Sequence, residues 1–231
     1  MLPLFWDPTY FLLIPAAILA LYAQARVRST YARFSQVRSA AGISGAEAAR
    51  RLLQANGIHD VSVEEVEGQL SDHYDPRAKV VRLSTANYRT NSLAGLAVAA
   101  HEVGHATQHA AGYFPLNFRH AILPVANFGS MAALPLFFIG FFFVHSPLLM
   151  DAGILLYAGV VLFQVVTLPV EFNASSRAMA QLVDGRMLAA EEAREARKVL
   201  NAAALTYVAA TATALMHLVR LLILRGAMRD D

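Results

Sequence analysis

Cysteine is absent from the 231 residues of this chain. Its absence excludes disulfide bonds, thiolate zinc fingers, iron–sulfur clusters and cysteine nucleophiles. Any metal ion that the protein binds must therefore be held by histidine, aspartate or glutamate side chains.

Charged residues are scarce as well. They make up 16% of the chain, whereas a soluble protein carries about 25%. Hydrophobic residues make up 56% of the chain, and the mean hydropathy is +0.42. The net charge of +2 is too small to indicate nucleic acid binding, and so apolar a chain fits neither a disordered segment nor a coiled coil. We therefore expect a membrane protein, with the lipid bilayer as a partner and no nucleic acid.

The charge is missing from four runs without Asp, Glu, Lys or Arg, at residues 8–25, 121–150, 152–170 and 199–219. The first three predict membrane spans, because about 20 apolar residues cross a bilayer. Whether the fourth run crosses is left open. Pro147 predicts a tight turn between the second and third spans, since proline disfavours a helical conformation in the residue before it.

The first run predicts a retained anchor rather than a cleaved signal peptide, because Asp7 and no Lys or Arg precedes it. Positive flanks stay in the cytoplasm. We therefore expect the N-terminus and the turn at His145 outside, and residues 26–120 inside. Four arginines follow the first run directly and set this orientation: Arg26, Arg28, Arg33 and Arg38.

The polar region after the first span contains signals for a helix and for strands. Ser44 and Glu47 form a capping box, which predicts a helix start, and Asn56-Gly57 predicts its end. Residues 61–63 and 80–83 are enriched in β-branched side chains. They predict a small β-hairpin or strand pair.

The chemical signal of the sequence is His101-Glu102-Val103-Gly104-His105. It lies in a segment rich in Ala, Leu and Val, without proline, which predicts a helix over 92–111. Positions i and i+4 share one helical face, so both imidazoles can bind one zinc ion while Glu102 takes a proton from water. With the eight His and nine Glu of this chain, about 0.01 occurrences are expected by chance.

A third ligand must come from another part of the chain. His109 lies eight residues beyond His101, about 12 Å along a helix axis, which is too far for one zinc ion. Gln108 and Ala111 stand where a metzincin motif needs glycine and histidine, which rules out that arrangement. Glu171, at the cytoplasmic end of the third span, is the preferred third ligand. Asp184 and His73 are the alternatives.

Five segments of the chain carry a further signal: His101 to Gln108, Glu171 to Arg177, Asp72 to Arg77, Lys79 to Ser84, and Leu205 to Ala209. Together they resemble the bacterial membrane zinc metallopeptidases of the YugP type, and the resemblance covers most of the chain. The layout is also similar, more distantly, to that of the HtpX group of gluzincins. Those proteases have a carboxylate four residues after the third-ligand Glu, where this chain has Ser175, so Asn173, Ser175 or a backbone carbonyl must orient a zinc histidine instead.

The resemblance implies a mainly α, polytopic membrane protein: a helical bundle with a gluzincin-like HExxH helix and a small cytoplasmic strand pair. Four regions are expected: an anchor over 1–25, a cytoplasmic zinc-peptidase region over 26–120, a transmembrane hairpin over 121–170, and a third-ligand helix with a C-terminal apolar helix over 171–231. We expect the chain in the cell membrane with its active site at the cytoplasmic side.

The implied activity is hydrolysis of peptide bonds in membrane or unfolded proteins by zinc-activated water. His101, His105 and Glu171 would bind Zn²⁺, and Glu102 would act as general base. Candidates for the donor to the oxyanion are Tyr207, His73 and Arg177. An extended peptide is expected to pair with a free edge of the strand at 79–83, the alternative being a strand that is fully paired within its own sheet.

Two other classes of function fit the same residues. One is a non-catalytic membrane scaffold or chaperone with a structural metal site, which requires a fourth protein ligand such as His73. The other is a metal carrier that uses His101, His105 and His109 as a relay. Glu102 favours the enzyme, because neither alternative requires a carboxylate between the two histidines.

Overall fold

The computed structural model describes residues 8–68 and 71–228, so Asp7 lies outside the described residues. The chain is mainly helical, as predicted. Its helices are a 3-10 helix at Pro8–Leu13, α1 (Ile14–Phe34), α2 (Gly45–Ala55), α3 (Thr85–Arg89), α4 (Leu93–Ala110), α5 (Phe114–Phe138), a π-helical turn at Ile139–Phe143, α6 (Pro147–Asp184) and α7 (Ala190–Ala227).

Three strands form one small sheet: β1 (Ser62–Val66), β2 (His73–Asp75) and β3 (Val80–Ser84). Their order is β1-β3-β2, with β1 parallel and β2 antiparallel to β3. The predicted pair is therefore confirmed, although it is parallel, and β2 is an additional strand. The prediction of a free edge on 79–83 is wrong, because β3 is the central strand and both of its edges are paired.

Local sequence signals fix both ends of α2 and the start of α4. The Ser44 hydroxyl accepts a hydrogen bond from the Glu47 backbone N–H at 3.2 Å, so the predicted capping box starts α2. Gly57 follows the end of α2 with a φ of +68°, a conformation that favours glycine. Ser92 caps α4 by accepting from the Gly95 N–H at 3.0 Å.

The chain folds into two compact units. One contains residues 24–117 and 169–205, and its core joins buried Ala and Leu side chains of α2, α4 and α6 with Val81 and Leu83 of β3. The other contains residues 8–23, 118–168 and 206–228.

Four helical segments are long and apolar enough to cross a membrane: Pro8–Phe34, Phe114–Phe143, Pro147–Asp184 and Ala190–Ala227. The last of them contains the run that the sequence left open. Large apolar side chains on these segments point away from the protein, among them Leu21, Met131 and Leu155, each more than two-thirds exposed. Such surfaces suit contact with lipid.

Contacts within the second unit show how α7 runs. Arg225, near the end of α7, donates two hydrogen bonds to the Asp151 carboxylate, at 2.7 and 3.1 Å. Arg220 is 5% exposed, donates from Nε to the Thr9 hydroxyl at 3.0 Å and lies over the Tyr10 ring. The end of α7, the start of α6 and the N-terminal 3-10 helix therefore lie at the same end of this unit.

Close packing of α5 and α6 depends on glycine. A Cβ added at Gly153 would lie 2.8 Å from the Ala133 carbonyl oxygen and 2.9 Å from the Phe137 Cβ. Real Cβ atoms do not approach backbone so closely, so the helices would have to move apart.

We predict that Gly153→Ala lowers the free energy of unfolding by about 1–3 kcal/mol, the usual cost of overpacking. The matched control is Gly226→Ala in α7, where an added Cβ meets nothing within 4 Å. That control should be neutral or slightly stabilising, because alanine is the better helix former. Thermal unfolding in detergent measures both changes, and equal melting temperatures for the two variants would contradict the packing argument.

Candidate metal centre

Helix α4 presents the two histidines of the motif side by side. The His101 and His105 rings meet edge to face, with centroids 4.8 Å apart and an interplanar angle of 85°. The helix around them is buried among small side chains, and Ala97, Ala99, Ala100 and Val103 are all fully buried. Both imidazoles therefore have fixed positions on one face of a rigid element.

Helix α6 brings Glu171 to the same point. Its Oε2 lies 3.3 Å from His101 Nε2 and 3.6 Å from His105 Nε2, and the Glu171 residue is 3% exposed. One ligand atom from each of the three residues lies within 4.8 Å of the others. The predicted third ligand thus joins the two histidines in one cluster. Asp184, His73 and His109 are not members of any such cluster in the part of the chain that the structure describes.

Helices α4 and α6 come into backbone contact at Gly104. A Cβ added there would lie 2.6 Å from the Ala174 carbonyl oxygen. Glycine at this point lets α4 approach the turn of α6 that follows Glu171. Gly104, which directly precedes the second histidine of the motif, is therefore needed for the geometry of the site.

Hydrogen bonds to the other ring nitrogens orient both histidines. His105 Nδ1 lies 3.0 Å from Gln108 Oε1, and His101 Nδ1 lies 3.2 Å from the Ser175 hydroxyl. A proton on Nδ1 leaves the lone pair of each Nε2 directed at Glu171. Two imidazole nitrogens and one carboxylate oxygen are the donor set of a catalytic zinc site with three protein ligands, so the residues fit zinc.

Ser175, the partner of His101, was among the predicted alternatives, whereas Gln108 was not predicted as the partner of His105. The orientation of the Gln108 amide follows from its neighbours. Gln108 Nε2 donates to the Val170 carbonyl at 2.8 Å and to Asn173 Oδ1 at 3.0 Å, and Asn173 Oδ1 also accepts from Arg177 Nε at 2.8 Å. Since the carbonyl only accepts and the guanidinium only donates, Gln108 must turn its oxygen to His105. The sequence signal that could have identified Gln108 was a lone amide three residues after His105 on an apolar helix.

Electrostatics favour a positive charge at the centre. Burial lowers the pKa of His105, but a hydrogen bond from the protonated ring to Glu171 and the negative charges of Glu102 and Glu171 outweigh burial and raise that pKa above its ordinary value. A cation is therefore stabilised at this point. Because a proton and a metal ion compete for the same nitrogen, metal binding here releases protons.

Glu102 lies on α4 directly after His101 and is 8% exposed. Within residues 8–68 and 71–228 its carboxylate makes no hydrogen bond or ion pair with another residue. Carboxylates that are nearly buried are ordinarily paired. The Glu102 carboxylate therefore remains available beside the cluster of His101, His105 and Glu171.

The remaining predicted residues lie elsewhere. His73 is exposed on β2, and its Nδ1 lies 2.8 Å from the Ser71 carbonyl oxygen. His109 lies one turn beyond His105, where its Nδ1 is 2.9 Å from the Tyr74 hydroxyl. Tyr207 is half-buried on α7, in the unit that does not contain the cluster.

Comparison with known proteins agrees with the chemistry of the cluster. The family described as "Putative neutral zinc metallopeptidase" matches residues 9–226. The "Putative membrane protease YugP" of Bacillus subtilis (strain 168) is 47% identical over 221 residues, which cover 96% of this chain and 98% of the relative. No solved structure matches the chain. With a match along nearly its whole length and a His, His, Glu cluster at the expected motif, the chain belongs to the neutral zinc metallopeptidase family.

Proposed function

We propose that this zinc metallopeptidase is an endopeptidase that cleaves membrane or unfolded proteins near the cytoplasmic face of the cell membrane. The observation that carries the proposal is the cluster of His101, His105 and Glu171 beside the unengaged carboxylate of Glu102. A zinc-dependent hydrolase needs both parts: a metal site with an open position and a base next to it.

The number of ligands argues against the scaffold or chaperone. Structural zinc sites are closed by four protein ligands, whereas catalytic sites have three. Among the described residues the cluster has three members, and His73 is not one of them. A purely structural metal site would also leave Glu102 without a role.

In the proposed mechanism, His101, His105 and Glu171 would hold zinc, which when bound would supply a Lewis acid for water and for the substrate carbonyl. Glu102 accepts the proton of the attacking water on a carboxylate oxygen. It then returns that proton to the nitrogen of the leaving amine. Ser175 and Gln108 keep the Nδ1 proton on His101 and His105 throughout, so that both Nε2 atoms remain ligands.

We expect Glu102→Gln to lower kcat at least about 100-fold, as loss of a general base does, while one zinc per chain is retained. Glu171→Ala should lose zinc. Metal analysis of the purified proteins and a casein cleavage assay measure both effects, with Glu67→Gln, an exposed carboxylate, as control. Undiminished proteolysis in the Glu102 variant would refute the assignment of the base.

The oxyanion needs a donor besides the metal, and we propose Tyr207 for this role, with His73 and Arg177 as the other candidates from the sequence. His73 is the weaker candidate, because side chains alternate along a strand and its neighbour Tyr74 is the one that contacts His109 on α4. Tyr207→Phe should lower kcat about 100- to 1000-fold with KM unchanged. His73→Gln should retain kcat within about twofold. Steady-state kinetics of the two variants distinguish these donors. A large loss of kcat in His73→Gln with little loss in Tyr207→Phe would assign the donor to His73.

Substrate backbone pairing is proposed for β2 instead of β3. Within the described residues β2 pairs only with β3, which leaves its outer edge available. The strand contacts α4 through Tyr74 and His109, one turn beyond His105. Backbone hydrogen bonds at such an edge bind extended peptides with little demand on sequence, which suits unfolded substrates.

We further propose that all four apolar helices cross the membrane, with the α5–α6 turn and the end of α7 outside. Arginine at an outer end opposes the positive-inside rule. In this protein Arg225 is paired with Asp151 and Arg220 is buried, which reduces that conflict. The four regions expected from the sequence then become an anchor, a cytoplasmic peptidase region, a hairpin, and a third-ligand helix continuing into the last span.

Single cysteines test this topology directly, because the chain has none of its own. An impermeant maleimide should label Ser146→Cys and Ala227→Cys in intact cells. It should label Glu191→Cys only after the membrane is permeabilised. The reverse pattern would place the peptidase region outside, and labelling of the Ala227 variant only after permeabilisation would show that α7 does not cross.

A further inference from the structure

Gln108 is the one amide among the fully buried large side chains of the described residues. Burying an amide is costly unless its polar atoms are hydrogen-bonded. Here the oxygen faces His105, and the nitrogen donates twice, to Val170 and Asn173. The side chain therefore meets the metal cluster on one side and α6 on the other.

We propose that Gln108 is a positioning residue that joins the two halves of the metal site, an inference that rests on the proposed zinc hydrolase. Its oxygen fixes the tautomer and the ring orientation of His105. Its nitrogen holds the turn of α6 that carries the third ligand, since Val170 directly precedes Glu171 and Asn173 follows it by two residues. One amide thus sets the position of ligands from both helices.

The orientation of this amide is itself fixed. Asn173 Oδ1 accepts from Gln108 and from Arg177 Nε, and the Arg177 guanidinium also lies over the Tyr113 ring, 6.0 Å from its centroid. A reversed Gln108 would place its nitrogen against a ring nitrogen that must keep its proton. It would also place its oxygen against two acceptors. The Asn173 and Arg177 contacts therefore keep the acceptor end on His105.

A packing role alone makes a different prediction. Methionine has nearly the same length and volume as glutamine, so it would fill the space that Gln108 occupies. If only volume matters, Gln108→Met leaves metal affinity unchanged. If the hydrogen bonds matter, the same substitution releases both His105 and the Glu171 turn.

The test uses the full-length protein in detergent. Zinc affinity is measured by competition with a chromophoric chelator, and the ligand field is read from the visible absorption of the Co²⁺-substituted protein. Gln108→Met should weaken zinc binding about 10- to 100-fold, the usual effect of losing a hydrogen-bond partner of a ligand. It should change the Co²⁺ spectrum and lower kcat with KM unchanged.

Gln181→Met is the matched control. Gln181 also joins α6 to α4, donating to the Thr107 hydroxyl at 3.2 Å, but within the described residues it makes no hydrogen bond to His101, His105 or Glu171. Its variant should keep the zinc affinity and the Co²⁺ spectrum of the wild type. If Gln108→Met fails to fold, Asn173→Ala replaces it, because that side chain is half-buried and its loss removes one of the two acceptors of the Gln108 nitrogen. It should weaken zinc binding in the same direction.

Wild-type zinc affinity and an unchanged Co²⁺ spectrum in the Gln108 variant, or in Asn173→Ala if that variant takes its place, would overturn the inference. Equal losses in the Gln181 variant would do the same, since they would indicate general packing of the two helices. Zinc affinity is read without turnover. Absence of cleavage by the zinc-loaded wild type would therefore overturn the proposed function while the Gln108 result still stands.

Discussion

The site depends on the close approach of α4 and α6 at Gly104 and Ala174. Neither helix carries a complete metal site, because the two histidines are on α4 and the carboxylate is on α6. Only a residue without a Cβ allows the Ala174 carbonyl oxygen to come so near to α4. Small side chains along the rest of α4 extend this packing, so the rigidity of the site is a property of the core around it.

The same contact explains the uncharged partners of the histidines. Ser175 lies one turn after Glu171 and reaches His101, while Gln108 lies close to one turn after His105 and reaches back to α6. Each helix thus orients a ligand or a turn of the other. In the gluzincins that the chain resembles, a carboxylate stands at the position of Ser175. Here hydrogen bonds from neutral groups take that place, and Glu102 and Glu171 are the negative charges near the centre.

The sequence predicted what is local and missed what depends on distant contacts. The HExxH helix was predictable because spacing along one helix fixes both histidines, and Glu171 was found because it ends an uncharged run. Strand β2 was missed, since it is only three residues long, Tyr74 is the one residue among them that favours a strand, and the strand forms by pairing with β3. The long apolar helix α7 was left open as a span because the pairing of Arg225 with Asp151, 74 positions away, cannot be seen in the sequence.

X-ray absorption at the zinc edge tests whether His101, His105 and Glu171 hold zinc together. We expect two imidazoles and further oxygen ligands at about 2.0–2.1 Å in the wild type. We also expect loss of stoichiometric zinc in Glu171→Ala, while Asp184→Ala, at the end of the same helix, retains the wild-type spectrum. Three or more imidazoles around the metal, or an unchanged spectrum in Glu171→Ala, would show that these three residues are not the ligand set.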